Sequence, residues 1–435
     1  MPIRATRKVL IRPLRDFLAT ESAGGIAVVG GALLALVWAN SPWQASYHQL
    51  WATDLELRLG SLSMVLDLRQ WVNEALMAIF FLVVGLEIKR EIVEGELQDR
   101  SRRALPVFAA VGGMILPALI YAAVNFGSPE IRGWGIPMAT DIALAVGVMT
   151  LAGRVGPALK LFLLTLAIVD DIGAILVIGV VNAGDIEFGW IGAACVAVTV
   201  LVVLQRRRVD LLWVYLFVGG GLWLALHQAG IHATMAGVIL GLLAPTRPYL
   251  SPELIDQSEL TNLGSARDAL ITTRLARSAV SVVEWLEHRL HPWTSFVIIP
   301  IFALANAGVS LSADTLGGAV SSPVTWGVFI GLLVGKPIGI LVASSLAVRW
   351  GAASLPAGVT WAGIGGAGLL AGIGFTVSLF MAEVALPPGL AEFAKWGIVG
   401  ASICAGSIGL LVLHRLGRSS QGNQADIALR DVRGR

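Results

Sequence analysis

Two adjacent aspartates, Asp170 and Asp171, stand in the middle of "LFLLTLAIVDDIGAILVIGV", residues 161–180, where no other residue is charged. An ionisable residue at the centre of a membrane helix costs on the order of 2.5–3.5 kcal/mol on insertion scales, so two together call for a use. A carboxylate can hold either a proton or a hard cation that prefers oxygen ligands. Consecutive residues point about 100° apart around a helix, so one carboxylate can face a water-filled cavity while its neighbour faces another helix. The plainer reading is that the pair only hydrogen-bonds adjacent helices and holds a bundle together.

Three other apolar stretches carry matching anomalies. "GIPMATDIALAVG" places Asp141, preceded by Thr140, in a segment interrupted by Pro137, and a proline inside a membrane helix frees carbonyls that need partners. "GLLVGKPIGI" buries Lys336 beside Pro337. "GGAGLLAGIGFTVSLF" strings Gly365, Gly366, Gly368, Gly372 and Gly374 along one segment, which suits close helix packing or an unwound stretch.

The elements that must position these residues follow from composition. A chain of 435 residues that is 56% hydrophobic and only 14% charged differs from soluble proteins, where charged residues alone are about 25%. Apolar stretches long enough to cross a hydrocarbon core of about 30 Å occur near 18–39, 72–88, 104–126, 134–152, 157–181, 188–204, 211–226, 231–244, 293–311, 325–347, 359–385 and 395–413. The fold class expected is an all-α polytopic membrane protein of about twelve transmembrane helices.

With both termini in the cytoplasm, only five of the 31 Lys and Arg fall elsewhere: Arg58, Arg69, Arg132 and Lys395 outside, and Lys336 within a span. That asymmetry fixes the orientation. Residues 1–17 are then a cytoplasmic amino terminus, 18–414 the transmembrane domain, and 415–435 a cytoplasmic tail expected to be disordered. The basic start leads into a long first span without a cleavage site directly after a short apolar core, so no signal peptide is expected. Segment 245–292 is a cytoplasmic loop ending in an interfacial helix, since Val282, Val283, Leu286 and Leu290 of "SVVEWLEHRLHPW" repeat at helical spacing. On the opposite side, 51–71 alternates polar and apolar residues around Gly60-Ser61, the pattern of a small β-hairpin. Its exposed edge invites a second copy of the chain. Cys195 and Cys404 both fall within spans and suggest neither disulfide nor metal site.

The anomalies also repeat. Spans three to five include a broken helix with Asp141, then one with the aspartate pair; spans ten to twelve include Lys336, then a glycine-broken helix. Seven spans separate equivalent helices, so the two trios enter the membrane in opposite directions. Two inverted three-helix repeats with crossed, interrupted helices near the midplane are expected, an architecture known from secondary transporters. At such a crossing, facing N-termini bring positive dipole ends together and facing C-termini negative ones, which Asp141 and Lys336 would offset.

Over most of its length the chain resembles bacterial NhaA-type sodium/proton antiporters. The words that carry the resemblance are "NEALMAIFFLVVGLEIKRE", "ATDIALAVGV", "LAIVDDIGAI", "IHATMAGVI", "HPWTSF", "PIFALANAGVSL", "GKPIGI" and "GIGFTVSLF". The resemblance implies a secondary transporter, not an enzyme, that exchanges cytoplasmic Na+ or Li+ for external H+ by alternating access. More protons enter than sodium ions leave, which makes exchange electrogenic. It implies Asp171 as the main ligand of the transported Na+, Asp170 beside it and paired with Lys336, and Thr140 with Asp141 lining the helix crossing. Activity would respond to pH through Glu87, Arg90 and Glu91 of "GLEIKRE" and through His288 and His291 at the end of the interfacial helix. It further implies a bacterial inner membrane location. The implied partners are Na+, H+, the lipid bilayer and a second copy through 51–71; no cofactor and no nucleic acid are expected. His232 of "IHATMAG" reads as a structural hydrogen-bonder.

An intramembrane aspartyl protease is the alternative, with Asp141 and Asp171 as its two carboxylates. It lacks the Gly-x-Gly-Asp motif and has no use for Lys336. A passive channel would leave the paired broken helices unexplained.

Overall fold

In lipid every backbone N–H and C=O must find its partner within the protein, and this chain meets that demand almost wholly with helices. The computed structural model describes residues 23–59, 62–95, 100–153, 155–181, 187–207, 209, 212–246 and 281–433. The expected amino terminus 1–17 and nearly all of the loop 245–280 lie outside the described residues. Among those described, six helices are long and apolar enough to cross a membrane, or nine if each of three bent pairs is one span. Three of the twelve expected spans correspond to shorter helices, Leu212–Gln228, Met235–Leu242 and Ile299–Asn306. The last helix, Pro388–Arg433, continues through the tail in which the sequence suggests disorder.

The chain divides into two compact units, Met1–Asn73 with Asp99–Asn182 and Ser295–Arg435, and Glu74–Gln98 with Ala183–Thr294. The first holds the β-hairpin, whose strands Asp54–Leu59 and Leu62–Asp67 pair antiparallel from Asp54 opposite Asp67 to Leu59 opposite Leu62. Asp67 then caps the next helix, accepting from the Gln70 N–H while the Gln70 side chain accepts from the Asp67 N–H.

Two broken helices form the centre of this unit. Pro129–Met138, wound as a 3-10 helix, is followed after a short extended break by the α-helix Ile142–Leu151, with a 44° bend; Trp361–Ala371 and Phe375–Ala385 are bent by 47°. Each break has its cause. Pro137 cannot donate a backbone hydrogen bond, and Ala139 and Asp141 take extended conformations beside it. At the second break a methyl group on Gly372 would lie 2.6 Å from the Leu332 carbonyl oxygen, so only glycine allows that approach. The 3-10 arm packs on Phe375–Ala385, and Ile142–Leu151 packs on Trp361–Ala371, so the broken helices run antiparallel and cross at their breaks.

Two unbroken helices flank the crossing. Pro157–Val181 carries the aspartate pair. Pro323–Arg349 contains a wide π turn, Gly331–Gly335, in which the Lys336 N–H reaches back to the Gly331 carbonyl, and Lys336 itself follows directly. This helix lies tightly against Arg100–Val124 because Gly112 and Gly339 each sit where a side chain on the other would strike backbone. The second unit packs Met77–Val93 against Met235–Leu242 through Gly85 and Gly241, and the expected interfacial helix is present as Val282–Trp293, capped by the Ser281 hydroxyl. Leu86, Ala244 and Val283 form a small core there.

The glycine contact generates a first expectation. Gly112→Leu is expected to lower the thermal unfolding midpoint by several degrees, the consequence of overpacking by about 1–3 kcal/mol. A surface control such as Gly189→Leu, which has open space around it, should leave the midpoint within about a degree.

Candidate functional site

A helix interrupted in the membrane leaves N–H groups at one new end and carbonyls at the other, and each set must be met by a side chain. Asp141 meets the first. It caps its own half-helix, with Oδ1 accepting from the Leu144 N–H at 3.0 Å. Its Oδ2 caps the opposing half-helix, accepting from the Thr376 N–H at 3.0 Å and the Thr376 hydroxyl at 2.6 Å. The Asp141 N–H in turn donates to the Ile373 carbonyl at 2.7 Å. One carboxylate thereby closes two helix N-termini whose dipoles both favour negative charge.

Lys336 meets the carbonyl ends. Its ammonium donates to the Met138 carbonyl, where the 3-10 arm ends, and forms an ion pair with Asp170, Nζ to Oδ2 2.9 Å. The Thr140 hydroxyl lies 2.7 Å from the same Asp170 oxygen and 3.0 Å from the Ala371 carbonyl, where the other arm ends. Both sides of the pair are fully buried, with 0% of either side chain exposed. Two charges in such a place need all their remaining hydrogen-bonding capacity met, and Asp170 Oδ1 finds no hydrogen-bond partner among the described residues. Asp171, on the next step of the helix, is also buried, and its charge reaches Lys336.

The structure therefore brings Thr140, Asp141, Asp170 and Lys336 together at the crossing, with Asp171 adjacent. The two roles weighed for Lys336, pairing with Asp170 and offsetting the carbonyl dipoles, are both present in one side chain. Of the five glycines in the second broken helix, Gly372 is at the break and Gly374 follows two residues later, whereas Gly366 and Gly368 serve close helix packing, where a methyl group would lie 2.6 Å from Leu413 and 3.2 Å from the Pro337 backbone.

The second set of expected residues gathers in the other unit. Arg90 forms an ion pair with Glu287 and lies 3.8 Å from Glu91. His291 Nε2 is 3.9 Å from Glu87 Oε1, an ion pair whenever the imidazole is protonated. His288 is exposed on the same helix and is not part of this group. Glu287 is, and burial pushes its carboxyl above the usual carboxylate range, against the opposing pull of Arg90 and His291. Neither Thr376 nor Glu287 was assigned a role from the sequence, although each had a signal. Thr376 falls one position into a helix restarted after Gly372 and Gly374, and Glu287 is the acid between Glu284 and His291 on a helix with an apolar face.

Comparison with known proteins adds the following. The family model described as Na+/H+ antiporter 1 matches residues 15–413. A relative from Sorangium cellulosum, Na(+)/H(+) antiporter NhaA 2, is 46% identical over 96% of this chain and 92% of its own length. Na(+)/H(+) antiporter NhaA 3 of Frankia alni is 45% identical over 93% of this chain and 89% of its own, and NhaA of Shewanella frigidimarina 41% over 93% and 97%. The solved sodium proton antiporter MjNhaP1 of Methanocaldococcus jannaschii aligns with 95% of this chain and 98% of its own at 12% identity and a TM-score of 0.45, too distant to support an argument.

The geometry around Asp141 sets an expectation for Thr376. Thr376→Val removes the hydroxyl donor to Oδ2 while keeping shape and backbone N–H, and is expected to destabilise the protein by about 1–2 kcal/mol in equilibrium unfolding. Thr376→Ser should restore most of the loss, since the hydroxyl returns.

Proposed function

The chain belongs to the Na+/H+ antiporter 1 family, and we propose that it exchanges cytoplasmic Na+ or Li+ for external H+ by alternating access to the carboxylates beside the helix crossing. Members of this family are transporters, not enzymes, and nothing supports the aspartyl protease alternative. The observation that carries the proposal is the buried Lys336–Asp170 pair with Thr140, held next to Asp171 where two interrupted helices cross. The twelve-span architecture of two inverted repeats, multi-pass in a bacterial inner membrane with cytoplasmic termini, is part of the same proposal.

The chemistry is competition for oxygen. Asp171 is the first ligand of the transported Na+, with Asp170 beside it; a proton and a cation exclude each other on one carboxylate. In the paired arrangement Lys336 occupies Asp170 and cannot be lost from it cheaply, because a lone buried charge is penalised heavily. Arrival of Na+ at the aspartates weakens that hold and lets Lys336 release a proton, which returns from the other side. Together with the proton that Na+ displaces from Asp171, more protons than sodium ions then move, exchange carries net charge, and membrane potential contributes about 2.3 kcal/mol per elementary charge per 100 mV. No resident cofactor is needed. Asp141 and Thr140 keep the crossing intact throughout.

Regulation is proposed at the Arg90, Glu91, Glu287, Glu87 and His291 cluster. Glu287, with its carboxyl pushed up by burial, gives up its proton at higher pH than an ordinary glutamate. Protonated below that pH, it releases Arg90; ionised above it, it holds Arg90. The hairpin 51–71 is proposed to pair with that of a second copy, forming a homodimer.

Two measurements test these readings. In proteoliposomes, Asp171→Asn is expected to abolish sodium-driven proton flux while folding is retained, since the amide keeps the shape but cannot trade a cation for a proton; wild-type flux in this variant would overturn the mechanism. Glu287→Gln mimics the protonated form at every pH, so its activity profile should move to more alkaline pH or flatten, and an unchanged profile would remove Glu287 from regulation.

A further inference from the structure

The half-helix Phe375–Ala385 carries a second carboxylate. Thr376, in its first turn, holds Asp141, and Glu383 follows seven residues later. At about 100° and 1.5 Å per residue, Glu383 therefore lies on the same helix face as Thr376, roughly 10 Å further from the crossing. There it meets Lys395 of the last helix, Oε1 to Nζ 2.5 Å, with only 18% and 9% of the two side chains exposed. On its other side Lys395 lines an apolar cavity of about 470 Å3 with Leu36, Val148, Ile373 and Ile403. Arg69 and the buried Tyr47 hydroxyl stand within electrostatic reach of one another, and Tyr47 also feels Glu383.

Glu383 thus resembles Asp170 in one respect: a mostly buried carboxylate whose place for a cation is filled by an ammonium tethered to the chain. The half-helix leads from the crossing to one membrane face, the one that the distribution of Lys and Arg assigns to the outside. Glu383 is the one ionisable residue of Phe375–Ala385, so it is the carboxylate this half-helix carries between Thr376 and that face.

We propose that Glu383 is a second, intermediate carboxylate for the transported cation on the outer side of the crossing, and that Lys395 is its exchangeable counter-ion. The proposal rests on the antiporter reading above. Competition gives it a signature that a simple fastening does not have. An ion pair that only ties Phe375–Ala385 to the last helix suffers alike from loss of either partner. In the proposed role, Glu383→Gln removes a ligand whereas Lys395→Gln removes a competitor, and the two variants move cation affinity in opposite directions.

The test is sodium/proton exchange in proteoliposomes with sodium applied to either face, for wild type, Glu383→Gln, Glu383→Asp and Lys395→Gln, with thermal unfolding of each variant in parallel. Wild-type exchange is the control that tests the antiporter reading by itself. From the outer face, apparent KM for sodium is expected to rise in Glu383→Gln and fall in Lys395→Gln by about threefold or more, the scale set by one partly screened charge. From the inner face KM should stay near wild type in both, and Glu383→Asp should stay near wild type throughout. A KM that moves in the same direction in both variants, moves equally from both faces, or does not move would overturn the proposal. Should Glu383→Gln fail to fold, Lys395→Gln alone decides, since loss of a fastening cannot increase affinity.

Discussion

The structure depends on satisfying backbone groups that the lipid cannot satisfy. Two helices break where they cross, and each break leaves N–H groups and carbonyls buried in the protein, to be met by side chains. Asp141 and Lys336 settle this with one charge of each sign, the carboxylate at the two N-termini and the ammonium at the Met138 carbonyl, with Thr140 at the Ala371 carbonyl. Lys336 could not stay charged there alone, and Asp170 supplies the balancing charge. On the proposed function, the ion site is a by-product of the crossing: the groups that make broken helices tolerable are the ones that leave a second aspartate, Asp171, over for exchange.

Arrangements of this kind carry a stability cost that ordinary packing must offset. A buried ion pair contributes little by itself and is strongly destabilising when one partner is removed. The offset comes from close apolar contact nearby. Gly112 against Gly339 brings two long helices together at backbone distance, and Gly372 against the Leu332 carbonyl does the same at the break. Pro337 has no N–H to offer the Leu332 carbonyl five residues back, the same carbonyl against which Gly372 packs.

Much of this was legible in the sequence because charges in apolar stretches are so costly that they mark themselves. Asp141, Asp170, Asp171 and Lys336 stood out for that reason, and proline and glycine marked the breaks. The hairpin was legible from its alternation around Gly60-Ser61, and Val282–Trp293 from its apolar repeat. What could not be read was pairing between distant segments of neutral or ordinary polar residues. Thr376 is unremarkable until the fold brings it to Asp141 across 235 positions of sequence. Glu287 and His288 are neighbours whose spacing alone does not reveal which one turns inward, and it is the glutamate that does. Helix lengths were also overestimated in places, as at 231–244, where the helix is only Met235–Leu242, and at 134–152, where hydropathy continues across a break at which the helix does not.

The wide turn at Gly331–Gly335 means that the helix Pro323–Arg349 is continuous in its backbone but not in its register. A π turn holds one residue more than an α turn, so everything after it is rotated by about 100° relative to an uninterrupted α-helix. Had the same residues wound here as a regular α-helix, Lys336 would be turned by about 100° away from Asp170. The orientation of Lys336 thus hangs on the width of this one turn: closing it to α without shortening the chain would separate the two charges without changing either of them, whereas deleting one residue within it would remove the extra residue and leave them facing.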